Sequence, residues 1–324
     1  MGLDEAFDEF QKTVDADRDQ VVLARERRDT FKKAFGSESD VADVFGSGSL
    51  ARSTQLKPVH DVDLVIVYDH DKHPDWGQPG DSAESALDYV RGRVNTLLGA
   101  TNGSVDTLVR LARWRNHAVK CFIDDPDDPD AFTVDAMPAL RQPDNTLLIP
   151  EALSERWVTA DPEDLIRRVA KHQSDWEYFR PMVRVLKQWR KSVSVEGKIK
   201  SMVMEVLALE CMPRDGSRTA ALRAFFTAAA VRVNSEIADP AGHCGAIQPD
   251  LDAVGLRTAL EEAAEIATQA CAAAENGDTD DALRAWQEIF GQDFPAPAPT
   301  KSSYLGGTGP ALITPRPVKD APQG

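Results

Sequence analysis

Two aspartates two residues apart, on a run of β-branched residues, are the place in this sequence where chemistry can be done. They stand in Asp61-Val62-Asp63-Leu64-Val65-Ile66-Val67. Val62 and Leu64–Val67 read as a buried strand. Residues two apart on a strand share a face, so the two carboxylates lie roughly 6–7 Å apart. Like charges on an apolar strand repel, and divalent cations would relieve that repulsion, as in a two-metal site. Upstream, Gly48-Ser49-Leu50-Ala51-Arg52-Ser53-Thr54 opens with a turn whose N–H groups and hydroxyl suit a phosphate chain. A calcium loop is the alternative for Asp-x-Asp, but the pair runs straight into strand, not loop. A third acid, Asp135, lies in Phe132–Pro138, after a strand at Val119–Ile123 and an acidic connection at 124–130. That pair reads as a long-looped hairpin.

Gly-Ser, eleven residues, Asp-x-Asp and a later strand Asp before Pro138 together resemble the polymerase-β-like nucleotidyltransferases. Within them the chain resembles the bacterial cGAS/DncV-like nucleotidyltransferases, which make cyclic oligonucleotide signals. Leu50–Thr54 matches the family's aromatic-Ala-Arg-Gly-Thr stretch, with Ser53 where Gly is usual. Val185-Leu186-Lys187-Gln188-Trp189 resembles its Leu-Leu-Lys-x-Trp helix, and Ile289–Pro295 the segment closing its helical domain. The resemblance covers roughly residues 1–295.

The resemblance implies a two-lobed fold, α/β plus all-α: a nucleotidyltransferase lobe with a mixed sheet, then a helical bundle. It implies that Asp61, Asp63 and Asp135 hold two magnesium ions, or manganese, with Asp135 nearest the acceptor hydroxyl as its base. Gly48 and Ser49 would bind the donor phosphates, joined by Lys187 and Ser201. Each has a plainer alternative. Ser49 or Ser201 could simply cap a helix. Lys187 shares a helical face with Arg180, Arg184 and Lys191, which could be a solvated basic stripe. Gly46-Ser47 is a second Gly-Ser pair and a rival for the phosphate turn. His243-Cys244 has no partners at ligand spacing and is read as structural.

The elements that must position these groups follow from pattern. One long helix is expected over 4–34, ended by Gly36. A strand at Val41–Phe45 leads into the Gly-Ser turn, a loop fills 69–81, and a helix runs from Ser82 to near Gly99. Strands are expected at Val105–Leu111, Ala118–Ile123 and Phe132–Asp135. From Asp161-Pro162-Glu163 onward helices dominate, at 163–175, 176–192, 200–212, 218–235, 252–275 and 279–290. The domains are therefore drawn as 1–160, 161–294 and a Pro-, Gly- and Ser-rich tail, 295–324. By the resemblance, a ubiquitin-ligase-like partner would join the terminal Gly324 to other molecules.

Composition bounds the rest. The chain has 324 residues and a formal net charge of −16. So acidic a chain lacks the basic footprint that grips duplex DNA or RNA, and no duplex activator is expected. No window approaches ~18 uncharged apolar residues, so no membrane span is read. Four scattered cysteines and an acidic N-terminus indicate neither a disulfide framework nor a signal peptide, and a cytoplasmic setting is expected. The expected activity is condensation of NTPs into a cyclic oligonucleotide in antiphage defence. The rivals are an antibiotic adenylyltransferase, an RNA-tailing enzyme, and a catalytically silent signalling scaffold.

Overall fold

In the computed structural model, which describes residues 1–99 and 108–297, seven strands form one mixed sheet. The order is β1 (Val41–Ser47), β2 (Asp61–Tyr68), β5 (Thr133–Arg141), β4 (Val119–Phe122) and β3 (Leu111–Trp114). β6 (Leu147–Glu151) pairs with the far end of β5, and β7 (Arg156–Ala160) pairs with β6. All strand pairs are antiparallel except β2 with β5, which run parallel over their full length. The sequence pattern did not announce β6 and β7, because Pro150 interrupts the apolar run Leu147–Ile149. The strand expected at Val105–Leu111 begins only at Leu111, and its residues 105–107 lie outside the described residues, as do 298–324 and Gly324.

Alternation along β2 sorts its side chains to two faces. Val62, Leu64, Ile66 and Tyr68 pack against Phe31 and Phe35 of helix α2 (Arg18–Phe35) and Leu87, Val90 and Val94 of helix α4 (Ser82–Leu98). Asp61 and Asp63 have the parity of Val65 and Val67, which form a small separate cluster with Ala139 and Leu147. Asp135 has the parity of Ala139 on β5. The acids thus share the sheet face that α2 and α4 leave open.

The single helix expected over 4–34 is two helices, α1 (Leu3–Val14) and α2, broken at Asp15–Asp17. The break is held by contacts from distant parts of the chain. Asp15 is extended and receives two hydrogen bonds from Arg184, Nε to Oδ1 at 2.6 Å and Nη2 to Oδ2 at 3.0 Å. Asp15 also forms an isolated bridge with Leu56. The two helices then join different cores. Ala6, Phe7, Phe10 and Val14 of α1 pack among the helices of the second half, where Phe7 meets Trp286, Phe290 and Phe294 edge-on.

Those helices match the expected order. They are α5 (Pro162–Asp175), α6 (Phe179–Trp189), α7 (Ser201–Cys211), α8 (Arg218–Arg232), α9 (Ala253–Glu275) and α10 (Thr279–Phe290). α5 starts as Asp161-Pro162 predicts, with the Asp161 side chain accepting from the Asp164 amide. No helix among the described residues is long and apolar enough to cross a membrane.

Candidate active site

A cavity of about 670 Å³ opens between the acid-bearing sheet face and the helical half. Ser47, Gly48, Ser49 and Arg52 line one wall, Asp61, Asp63 and Asp135 the floor, and Ser201 and Met202 the side facing them. Six of the seven residues expected to do chemistry therefore meet on one cavity. Of the rival pair, Ser47 lines the cavity and Gly46 does not.

The acids owe their proximity to register. Asp63 on β2 stands directly beside Asp135 on the parallel β5, and Asp61 beside Thr133. Lys120 on β4 is the register partner of Asp135 on its other side, with Nζ 3.8 Å from Oδ1. Burial, then Asp61 and Asp135, push the Asp63 carboxyl up to about 6, against the pull of Arg52 and Lys120. Burial also raises Asp135, with Lys120 pulling it down and Asp61 pushing it up. Asp135 Oδ1 is buried and accepts no hydrogen bond.

Gly48 begins a short helix, α3 (Gly48–Arg52), with φ of 65°. A Cβ there would fall 1.6 Å from Asp63 Oδ2. Only glycine allows both the left-handed backbone and this approach. Ser49 is the second residue of α3, while Ser47 holds the N-cap position without a side-chain cap bond. Ser201 is the first residue of α7, after Lys200 at the N-cap. Neither serine is a capping residue.

Lys187 is placed differently from the expectation. Its side chain is 4% exposed and does not line the cavity. Nζ donates to the Thr54 carbonyl at 2.8 Å and to Glu205 Oε2 at 3.4 Å. The solvated-stripe alternative fails too, since Arg184 is tied to Asp15 and to the Ser53 carbonyl. Burial lowers the Lys187 pKa, with Glu205 opposing.

Sequence reading missed the group that holds Lys187. Arg52 donates to Glu205 through Nε to Oε1 at 2.6 Å and Nη2 to Oε2 at 3.3 Å, and Thr54 Oγ1 donates to Oε1 at 3.0 Å. Burial works to raise the Glu205 pKa, yet Arg52 and Lys187 hold it below the usual range. A signal existed: Glu205 sits in Ser-Met-Val-Met-Glu-Val-Leu-Ala-Leu, and an acid in the middle of so apolar a stretch needs a buried cation. The turn Arg115–Ala118 was missed as well. It lines the cavity and is pinned by His117 Nδ1 against the Pro150 carbonyl at 2.8 Å and by Leu153 N donating to Asn116 Oδ1 at 2.8 Å.

His243 and Cys244 gather no ligand set; Cys244 lies on the cavity rim, its thiol donating to the Thr159 carbonyl at 3.3 Å. The 124–130 connection closes on itself, with Asp125 and Asp128 each accepting from an amide two residues on.

Residues 1–172 match the Second Messenger Oligonucleotide or Dinucleotide Synthetase domain, SMODS. The chain belongs to this family. With it the chain is a nucleotidyltransferase of the bacterial cGAS/DncV-like class. A "Probable cyclic nucleotide synthase" of Bacillus cereus (strain VD146) is 25% identical over 337 residues, spanning 90% of this chain and 97% of that protein. Among solved structures, Escherichia coli MS115-1 CdnC with ATP superposes with a TM-score of 0.69 at 17% identity, covering 90% of this chain and 98% of that one. Vibrio cholerae DncV, a cyclic AMP-GMP synthase, gives 0.58 at 13% identity, over 88% and 93% of the two chains. At these identities the structural likeness speaks for the two-lobed fold.

The three acids offer an oxygen-only donor set, which suits magnesium. The unbonded, buried Oδ1 of Asp135 and the mutual repulsion within the set fit a divalent ion. Among the described residues no three His, Cys, Asp or Glu side chains already converge as an ion cage. Asp61 stands exposed at the strand end, and Asp63 is folded against Gly48.

Proposed function

We propose that this SMODS-family protein condenses NTPs into a cyclic oligonucleotide at the cavity between the sheet and the helical half. The observation that carries the reading is the convergence of Asp61, Asp63 and Asp135 with the Gly48-Ser49 turn and Ser201 on one cavity. Gly48-Ser49 and Ser201 bind the donor triphosphate from two sides. Two divalent ions, held by the three acids, would supply the positive charge that offsets the phosphates and lowers the hydroxyl's pKa. A 2′- or 3′-hydroxyl of the acceptor attacks the α-phosphorus, the bond to pyrophosphate breaks, and the hydroxyl proton passes to the Asp135 carboxylate. The linear product then returns to the site and closes on itself.

The apolar walls, Met137, Ile149, Leu165, Met202 and Ile247, give the bases surfaces to pack against. The cyclic product would switch on an effector in antiphage defence. The test is incubation of the purified protein with labelled NTPs and magnesium, followed by phosphatase and mass spectrometry. A phosphatase-resistant cyclic product is expected. Transfer to an antibiotic, or a growing RNA tail, would replace this reading with another nucleotidyltransferase activity.

A further inference from the structure

Glu205 lies where two walls of the cavity are joined, and it does not line the cavity itself. It is one helical turn after Ser201 on α7, so the two share a face about 6 Å apart along the axis. Arg52 is likewise one turn after Gly48 on α3. The Arg52–Glu205 pair therefore links the second turns of two helices whose first residues both face the cavity. Its geometry is over-determined. Glu205 is fully buried and accepts from Arg52 twice, from Thr54 and from Lys187. Lys187 also binds the Thr54 carbonyl, closing a ring of contacts among α3, α6 and α7. If holding helices together were the only task, apolar residues of similar volume would serve as well, since buried ion pairs are costly to desolvate. What the ion pair adds is a fixed direction and distance.

We infer that Glu205 is a positioning residue of the donor site: through Arg52 and Thr54 it sets the spacing between the Gly48-Ser49 turn and Ser201. This rests on the reading that those residues bind the NTP. Glu205 touches no substrate. Its carboxylate fixes where the serine hydroxyl on one lobe stands relative to the amides on the other.

A double-mutant cycle between Glu205 and Ser201 tests this in the full chain. The readout is the Kd of a non-hydrolysable ATP analogue, and of its GTP counterpart, with magnesium, corrected for the folded fraction measured by circular dichroism. Ser201→Ala is expected to weaken binding by about tenfold, the loss of one phosphate hydrogen bond. Glu205→Gln is expected to weaken it by a similar factor. The double variant should be no weaker than the weaker single, because Glu205 acts through Ser201. Thr54→Val, which removes one hydrogen bond to Glu205 and no charge, should weaken binding severalfold with the same non-additivity. It serves where Glu205→Gln does not fold. Additive losses, or unchanged binding in Glu205→Gln or in a folded Thr54→Val, overturn the positioning role and leave the donor-site reading standing. Unchanged binding in Ser201→Ala overturns the donor-site assignment of Ser201, and the positioning role with it.

Discussion

The Cα of Gly48 presses against the carboxylate of Asp63: a methyl group added there would overlap Oδ2 at 1.6 Å. The Gly48-Ser49 turn and the acid pair are thus one unit, not two motifs that happen to be near. Gly48→Ala should displace Asp63 by more than an ångström, a misplacement worth about a hundredfold in rate. The left-handed φ adds about 1–2 kcal/mol of strain. Product yield per folded protein measures the first, and thermal melting the second. Activity near that of the parent would show that the turn yields without disturbing Asp63.

Asp61→Asn with Asp63→Asn should abolish nucleotide transfer and leave the fold intact or more stable. The unfolded carboxyl titrates near 3.8 and folded Asp63 near 6. The folded state therefore binds the extra proton, and the metal-free protein should lose stability as pH rises from about 4 to about 6. The penalty is complete above that window, on the order of 2–3 kcal/mol, and absent below it. Asp63→Asn should flatten this slope in metal-free buffer, and magnesium should raise the melting temperature of the parent above pH 6 but not that of the double variant. A parent melting curve independent of pH across the window contradicts the electrostatic account.

Ser53 occupies a left-handed backbone position, φ 58° and ψ 39°, at the end of α3. This explains in physical terms why glycine is usual there in the family. Ser53→Gly should relieve the strain and stabilise the protein by up to about 1 kcal/mol, less the greater freedom that Gly adds to the unfolded chain. Arg184 bonds the Ser53 carbonyl and not its side chain, so that contact survives. A fall in denaturant midpoint would show that the serine hydroxyl contributes more than the backbone loses.

Lys187→Ala should register first in stability. The ammonium is buried between Glu205 and the Thr54 carbonyl, and its loss leaves a cavity and an acceptor without its donor. Lys187→Met, which fills the volume, should cost less than Lys187→Ala, because Glu205 keeps Arg52 and Thr54. Should Lys187→Met melt like the parent yet bind NTP analogues tenfold more weakly, the lysine reaches the phosphates after all.

Strand β2, the acids on it, the Gly48 turn and the order of the later helices were legible because each is a local pattern. Their signals are alternation, a glycine at a forced φ, and apolar periodicity with a Pro or Asp start. The break at Asp15–Asp17 was not, because its cause, Arg184, lies far along the chain. Lys187 was misplaced for the same reason. A helical face says which residues point together, but not whether a neighbour such as Glu205 waits there. Arg115–Ala118 carries no motif, and only its anchoring to β6 and the turn that follows puts it on the cavity wall.

The chain begins in one core, leaves it at Asp15–Asp17, builds the whole sheet, and returns near Asp161. Severing the backbone once, between the sheet and α5, would therefore not yield two independent bodies. Phe7 and Phe10 would still be plugged among Trp286, Phe290 and Phe294, and Arg218 would still clasp Asp4 and Asp8. The first fourteen residues act as a tether threaded into the far half. A recombined protein that borrows its helical half from a relative must borrow this opening segment as well.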